Sequence, residues 1–496
     1  MTYSTSGAMT LSRGNLDIVL AGTPTDVGHP HLSAAAQAAL DAAQAPGGHP
    51  HWAYVCQFST EPIVKAGKTA MNKLTRAVLL AATMLLPLTG GAQAVEIAMS
   101  CGAVGQDMQS CREGVDAWSA KTGNQVHIVS TPQTTTERLA LYQQFLAAQS
   151  TDVDVYMIDV IWPGILGQFF IDLGPALSSS ARAAFSPALV ANNTIAGKLV
   201  AVPWYTDAGV LFYRRDLLEK HGLAVPTTWA EMDAVATKIQ TAERAAGNER
   251  FWGFVFQGRA YEGLTCNALE WVNSFGGGMI VAADGKVTVD NPATVAALKT
   301  ARSWVGRIAP AGVVSYTEED ARGAFQAGNA AFMRNWPYAW SLAQGPDSPV
   351  KGKVGVAALP QGPGADARRT GTLGGWQLAV SRFSRHPKEA TDLVIYLTGR
   401  EEQKRRAVRY AYNPSITDLY ADADVLAAAP LLGDLKATFD NAVARPSAVA
   451  GPRYNEVSAA FWIAVHASLT GEQEPEAAVK ALGLELRRLS RGGRWG

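Results

Sequence analysis

The chain has 496 residues, enough for two or three domains, with 48% hydrophobic and 17% charged residues and a formal net charge of zero. That balance fits a globular chain with a sizeable core and excludes a broad basic surface for nucleic acid. The 13 tryptophans are many for this length, and an indole N–H is unfavourable to bury without a partner, so either they fill the core or several line a pocket.

Residues 1–70 are rich in Ala, Gly, His and Pro and show no sustained apolar period. Gly28-His29-Pro30-His31 recurs as Gly48-His49-Pro50-His51. A metal-binding tract is the weaker reading of these repeats. A poorly ordered extension, or a start site assigned too early, is the stronger one. Met71-Asn72-Lys73-Leu74-Thr75-Arg76 is a short basic start, Ala77 to Leu88 an apolar run too short to span a bilayer, and Ala92-Gln93-Ala94 an A-x-A site. That order describes a cleavable signal peptide over 71–94, with a mature chain from near Val95, exported and not anchored by a lipid on Cys. Cys101 and Cys111 lie close enough to pair in an oxidising compartment, whereas Cys266 is expected as a small buried apolar residue. With no CxxC pair and few histidines, no metal or cofactor is expected.

Val95 to Met99 reads as a first strand, followed by a helix through Cys111, Val115 and Trp118 that stops at Gly123. Gln125 to Ser130 is a second strand, Thr134 and Glu137 have capping-box spacing for the next helix, and Asp152 to Asp159 is a third strand. Alternating strands and helices predict an α/β lobe with a largely parallel sheet, whose ligands sit beyond the carboxyl ends of the strands. Asp159 stands at such an end, and two readings stay open: a cap for the following turn, or a group facing a ligand. Val202-Pro203-Trp204-Tyr205-Thr206-Asp207 is expected to be a loop offering aromatic faces and a carboxylate, with a strand from Val210 to Tyr213 after it. Thr228 to Glu231 is a second capping box, opening a helix to about Ala245. Strands follow at Phe251 to Gln257, Ala331 to Met333, Val354 to Leu359 and Gln377 to Ser381. A hairpin is expected to turn at Asp284-Gly285. Helices are expected from Asn291-Pro292 through Trp304, over Glu318 to Ala327, and from Pro387 to Leu397. The remainder is read as helical, broken at Asn413-Pro414 and between Arg445 and Pro452.

Phosphate-cradling, zinc-protease, nucleophile-elbow and dinucleotide motifs are absent. What recurs is aromatic residues beside polar ones in expected turns: Trp204, Tyr205 and Asp207; Tyr261 and Glu262; Trp336 and Tyr338; Gly375 and Trp376. A sugar ring matches this mixture. Its C–H face packs on an aromatic ring, and its hydroxyls need fixed polar partners, each bond to a charged group contributing roughly 1.5–3 kcal/mol. Carboxylates are plentiful enough that a secreted carbohydrate-active enzyme working through a carboxylate pair stands as an alternative. A binding protein for a polyol or glycoside osmolyte is another.

The segments Asp152–Phe169, Val202–Gly222, Tyr261–Trp271, Phe332–Trp340, Gly374–Ser381 and Ala444–Ser458 together resemble the extracellular solute-binding proteins of bacterial ABC sugar importers. This is the family that includes maltose-binding protein, and the chain is most similar to its trehalose/maltose-binding branch. The resemblance spans nearly all of 95–490. It implies an α/β, two-lobed periplasmic-binding-protein fold with a hinge and an interlobe ligand cleft, lobe one from 95–205 plus 359–400 and lobe two from 206–358 plus 401–491. It further implies a periplasmic monomer without enzymatic activity that hands a disaccharide of trehalose, maltose or sucrose type to the permease subunits of an importer. Carried over position by position, the ligand contacts fall on Asp107, Arg138, Asp159, Tyr205, Asp207, Tyr261, Glu262, Trp336, Tyr338, Gly375, Trp376 and Arg445. Asp107 stands where the branch often has Glu, one methylene longer.

Overall fold

The computed structural model describes residues 94–495 and three short strands near the N-terminus, Thr2–Tyr3, Ala8–Arg13 and Leu16–Ala21, which pair antiparallel in a sheet of their own. No regular element was expected there. Leu16–Ala21 is nonetheless an apolar, β-branched run, and the Gly14-Asn15 separating Arg13 from its partner Leu16 has the composition of a two-residue hairpin link. The His-Pro repeats, Cys56 and the basic, apolar and A-x-A segment up to Gln93 lie outside the described residues.

From residue 94 onward two sheets organise the chain. Across the first, the strands run Asn413–Pro414, Val202–Ala208, Leu373–Val380, Val155–Asp159, Glu96–Ser100 and Gln125–Val129. Glu96–Ser100 is parallel to both Gln125–Val129 and Val155–Asp159, and the helices Asp107–Thr122 and Thr135–Ala147 make the crossovers. Val155–Asp159 is buried along its whole length, as a central strand covered on both faces must be. The second sheet runs Trp252–Val255, Ala330–Asn335, Val210–Arg214 and Val354–Ala358, with only the first pair parallel.

The chain leaves the first sheet after Ala208 and enters the second at Val210, with the single residue Gly209 between. It returns between Ala358 and Leu373. Val202–Ala208 is therefore a strand and not the expected loop: its proline sits where the neighbouring strand Leu373–Val380 shifts register. A second difference concerns 401 onward, expected with the second lobe. The helix Arg400–Tyr410 buries Ala407 and Tyr410 in the same core as Trp118, Leu393 and Leu397, and Asn413–Pro414 pairs with Val202–Ala208.

Local signals explain most boundaries. Gly123 ends its helix in the left-handed region at φ 78°, and Thr228 with Glu231 forms the reciprocal box that opens Trp229–Ala245. The Asp284-Gly285 hairpin reduces to one bridge, Val281 with Val287. Trp118, Trp162, Trp204, Trp229, Trp271 and Trp304 are almost fully buried, so the core reading holds for these six. In the second lobe Trp229, Phe254, Phe256, Trp271 and Trp304 pack on one another, several edge to face.

Candidate functional site

Between the two sheets lies a cavity with about 660 Å³ of space free of protein atoms, part of it open to solvent, within the size range of small-molecule sites. Its first wall comes from the six-stranded sheet. Asp159 ends its strand, takes the Ile161 N–H at 3.1 Å in a local turn, and accepts Arg445 Nη2 at 2.9 Å. Asp159 thus caps the local turn and also lines the cavity. Trp376 pairs in register with Asp159 on one side and with Tyr205 on the other. The register shift after Trp376 needs Gly375 at φ +123°, where a Cβ would stand 2.5 Å from the Tyr205 carbonyl oxygen. At Gly374 a Cβ would meet the Trp336 ring at 2.9 Å, so this glycine lets the opposite wall approach.

Asp107 is the first residue of its helix, and its Oδ1 accepts the hydroxyls of Tyr205 at 3.1 Å and Tyr412 at 2.6 Å. Asp207, only 7% exposed, meets a single long donor among the described residues, Asn413 Nδ2 at 3.4 Å. Burial pushes the Asp207 carboxyl well above the usual range. The nearby Asp107 adds to that, and the Arg406 and Arg334 cations oppose it. Burial raises Asp107 as well, against the Tyr412 hydrogen bond and the charges of Arg406 and Arg138.

The second wall holds Trp336 and Tyr338 in the turn after Ala330–Asn335. The Arg334 guanidinium covers one face of Trp336 at 4.0 Å and is itself ion-paired with Glu270. The Tyr338 hydroxyl donates to Glu319 at 2.6 Å. Glu262 opens the helix Glu262–Ser274 and is held by Tyr454, by Ser458 at 2.7 Å and by Arg445 Nη1 at 2.9 Å. Burial raises the Glu262 carboxyl, with Arg445 the strongest opposing influence. Arg445 thus bridges a carboxylate of each lobe.

Asp107, Asp159, Tyr205, Asp207, Glu262, Trp336, Tyr338, Gly375, Trp376 and Arg445 all line this one cavity. Two expected residues do not. Arg138 is buried behind the wall, its guanidinium 4.5 Å over the Trp376 ring and bonded to the Pro132 carbonyl. Tyr261 turns away to donate to Glu318 at 2.6 Å, and Glu318 lines the cavity in its place. Sequence reasoning missed Tyr412, which carries the same mark as the others, an aromatic residue beside the Asn413-Pro414 break. It also missed Gln133, Thr135 and Glu318, which carry no such mark. The aromatic clusters were expected in turns, but Tyr205, Asp207 and Trp376 sit on strands, where alternate side chains face the cleft. Cys101 and Cys111 are joined as a disulfide and Cys266 is a buried free thiol. Among the described residues no group of His, Cys, Asp or Glu is arranged to hold a metal ion.

Residues 102–404 match the family model described as bacterial extracellular solute-binding protein. A probable ABC transporter-binding protein of Deinococcus radiodurans is 53% identical, over 83% of this chain and 98% of that one. Among solved structures, the maltose-bound MalE3 of T. maritima is 42% identical with a TM-score of 0.76, covering 80% of this chain and all (100%) of that chain. The GacH receptor of Streptomyces glaucescens, 23% identical with a TM-score of 0.71 over 80% of this chain and 99% of that chain, shares the fold.

Proposed function

The chain belongs to the bacterial extracellular solute-binding protein family, and on that premise we propose that it captures a disaccharide of trehalose, maltose or sucrose type in the cleft and presents it to the permease subunits of an ABC importer. The observation that carries this reading is Asp207: a buried carboxylate with one long bond of its own, in a cavity also lined by Trp336, Tyr338 and Trp376. A carboxyl group met by one long donor keeps most of its lone-pair sites free for a sugar hydroxyl entering the cleft. Asp107, Asp159, Glu262 and Arg445 supply further fixed partners, while the rings take the C–H faces of the sugar. The maltose bound to the T. maritima relative supports the ligand class.

The magnitudes are sufficient. Micromolar affinity corresponds to about 8 kcal/mol. Three or four hydrogen bonds to charged groups, at roughly 1.5–3 kcal/mol each, sum to about 5–12 kcal/mol, and with stacking the upper part of that range leaves a margin for the entropy of association. Because the ligand touches both walls, it binds the closed arrangement more tightly than the open one, and that difference drives closure. The chain carries out no reaction on the sugar and acts in the periplasm as a monomer. Trehalose, maltose, sucrose and glucose titrated against intrinsic tryptophan fluorescence test the reading: saturation by one disaccharide at micromolar levels is expected. Silence with all four from the folded protein refutes the ligand class, and monosaccharide release on incubation refutes the binding-only role.

A further inference from the structure

We propose that Arg406 is a positioning residue for this site: stacked on Trp204, Tyr205 and Tyr412, it holds two tyrosine hydroxyls on Asp107 and sets its positive charge behind the carboxylate that meets a ligand hydroxyl. The inference rests on the sugar-binding reading above. Arg406 is 2% exposed and does not line the cavity. Its Nε donates to Ser110 Oγ at 3.0 Å, but neither Nη1 nor Nη2 has a hydrogen-bond partner among the described residues. Its guanidinium carbon instead stands 3.8 Å from the Trp204 ring centroid and 4.6 Å from those of Tyr205 and Tyr412.

A buried guanidinium with two unbonded ends is a poor way to stabilise a core, where an apolar side chain of similar volume does as well or better. What an apolar residue cannot supply is the charge. The two tyrosines that Arg406 covers are the two whose hydroxyls converge on Asp107 Oδ1. The cation therefore fixes both rings by stacking and places positive potential directly behind the carboxylate. The same device recurs in the cavity walls, with Arg138 over Trp376 and Arg334 over Trp336, but those two arginines have polar partners of their own.

Other ionisable groups around Asp107 and Arg406 leave the cation this task. From the strand Val202–Ala208 come Tyr205 and Asp207, the latter unfavourable to a charged Asp107. Arg138 acts from the helix Thr135–Ala147 and Arg334 from the second sheet. On the Arg400–Tyr410 helix Arg405 pairs with Glu402 and Glu113, and Arg409 with Glu113. Tyr410 ends that helix and Tyr412 follows it. Arg406 is the largest cationic influence on Asp107.

The test is a mutant cycle in the full chain with two readouts. In the first, the dissociation constant of whichever sugar binds the native chain is followed from about pH 5.5 to about pH 8 in Arg406→Met and Arg406→Lys. Losing the cation raises the Asp107 carboxyl further, so Arg406→Met is expected to lose affinity by a factor that grows as pH falls, reaching about tenfold near pH 5.5. Arg406→Lys is expected to keep the native pH profile. The second readout needs no ligand. At about pH 8 Asp107→Asn is expected to restore melting temperature to Arg406→Met, where it removes an uncompensated carboxylate, and to bring no such gain in the native background, where it strips the buried cation of its counter-charge. An equal affinity loss for Arg406→Met at every pH, or an equal effect of Asp107→Asn in both backgrounds, overturns the proposal. Should Arg406→Met fail to fold, Tyr412→Phe, which removes the 2.6 Å bond and keeps the stacked ring, must move the acid limb of binding upward; an unmoved limb overturns it equally. A native chain that binds none of the sugars, with the Asp107–Arg406 coupling intact, refutes the sugar reading and not the electrostatic one.

Discussion

At the scale of single residues, Asp207 concentrates the site's energetics. Its carboxylate is buried beside Asp107 with one 3.4 Å donor, an arrangement that stores unsatisfied acceptor capacity until a ligand arrives. Asp207→Ala is expected to raise the sugar dissociation constant tenfold or more, the loss of a carboxylate hydrogen bond of roughly 1.5–3 kcal/mol; titration calorimetry checks it. The apo protein gives a separate, signed prediction. The folded value of Asp207 lies above its ordinary value of 3.8, so its contribution to stability is full below about that pH and is lost as pH rises through the folded value. Asp207→Asn cannot ionise. Its melting temperature relative to the native chain is therefore expected to climb as pH goes from about 4 to about 8, and a flat difference would show that Asp207 titrates normally.

Among the elements, the strand Leu373–Val380 does most to build the site, because it carries Gly375 and Trp376 between the strands that end in Asp159 and contain Tyr205 and Asp207. Its register shift is local, and so is its vulnerability. Gly375→Ala would put a Cβ 2.5 Å from a carbonyl oxygen at a φ that side chains avoid, so we expect a loss of about 2 kcal/mol and a melting temperature lower by roughly 4–8 °C. Weaker sugar binding should accompany it, since Trp376 moves with the strand. The link from Cys101 to Cys111 ties the first strand to the helix that begins at Asp107, closing a loop with a sequence separation of 10. Loop-closure entropy for such a short ring predicts a cost of about 2–3 kcal/mol for the Cys101→Ser, Cys111→Ser pair, measurable by denaturant unfolding.

For the whole molecule, the relevant equilibrium is between open and closed lobes. Several bonds outside the ligand cavity cross the cleft: Ser341 Oγ to Gln106 at 2.9 Å, Glu262 N to Thr136 Oγ1 at 3.2 Å, and the ion pair of Arg259 with Glu137 at 3.3 Å. Arg259 and Glu137 are each about half exposed, 46% and 54%, so their pair contributes no more than about 1 kcal/mol and is screened by salt. Arg259→Ala is therefore expected to weaken sugar binding by up to about fivefold at low ionic strength and by less at high salt, without touching the ligand. A salt-independent loss would assign Arg259 a direct contact. Arg445 acts differently, joining Asp159 to Glu262 inside the cavity near the crossing between the sheets.

Sequence alone determined the alternation of strands and helices, the caps at Thr228 and Gly123, and most of the side chains that meet in the cleft. These rest on periodicity, on turn chemistry and on the pairing of aromatic with polar residues at Gly and Pro, all of which are written within a few positions of one another. The family resemblance added Arg138, and the neighbouring Glu262 picked out Tyr261, but neither residue lines the cavity. Whether a side chain faces a cavity or backs its wall depends on the packing of segments far apart in sequence, and Arg138 stacks on the ring of Trp376. The same holds for Val202–Ala208, which its proline and aromatic residues marked as a loop until pairing with Leu373–Val380 and Asn413–Pro414 made it a strand. Only the tertiary structure decided that Arg406 lies behind Asp107, because two of the three rings its guanidinium covers, Trp204 and Tyr205, belong to a strand about two hundred positions away.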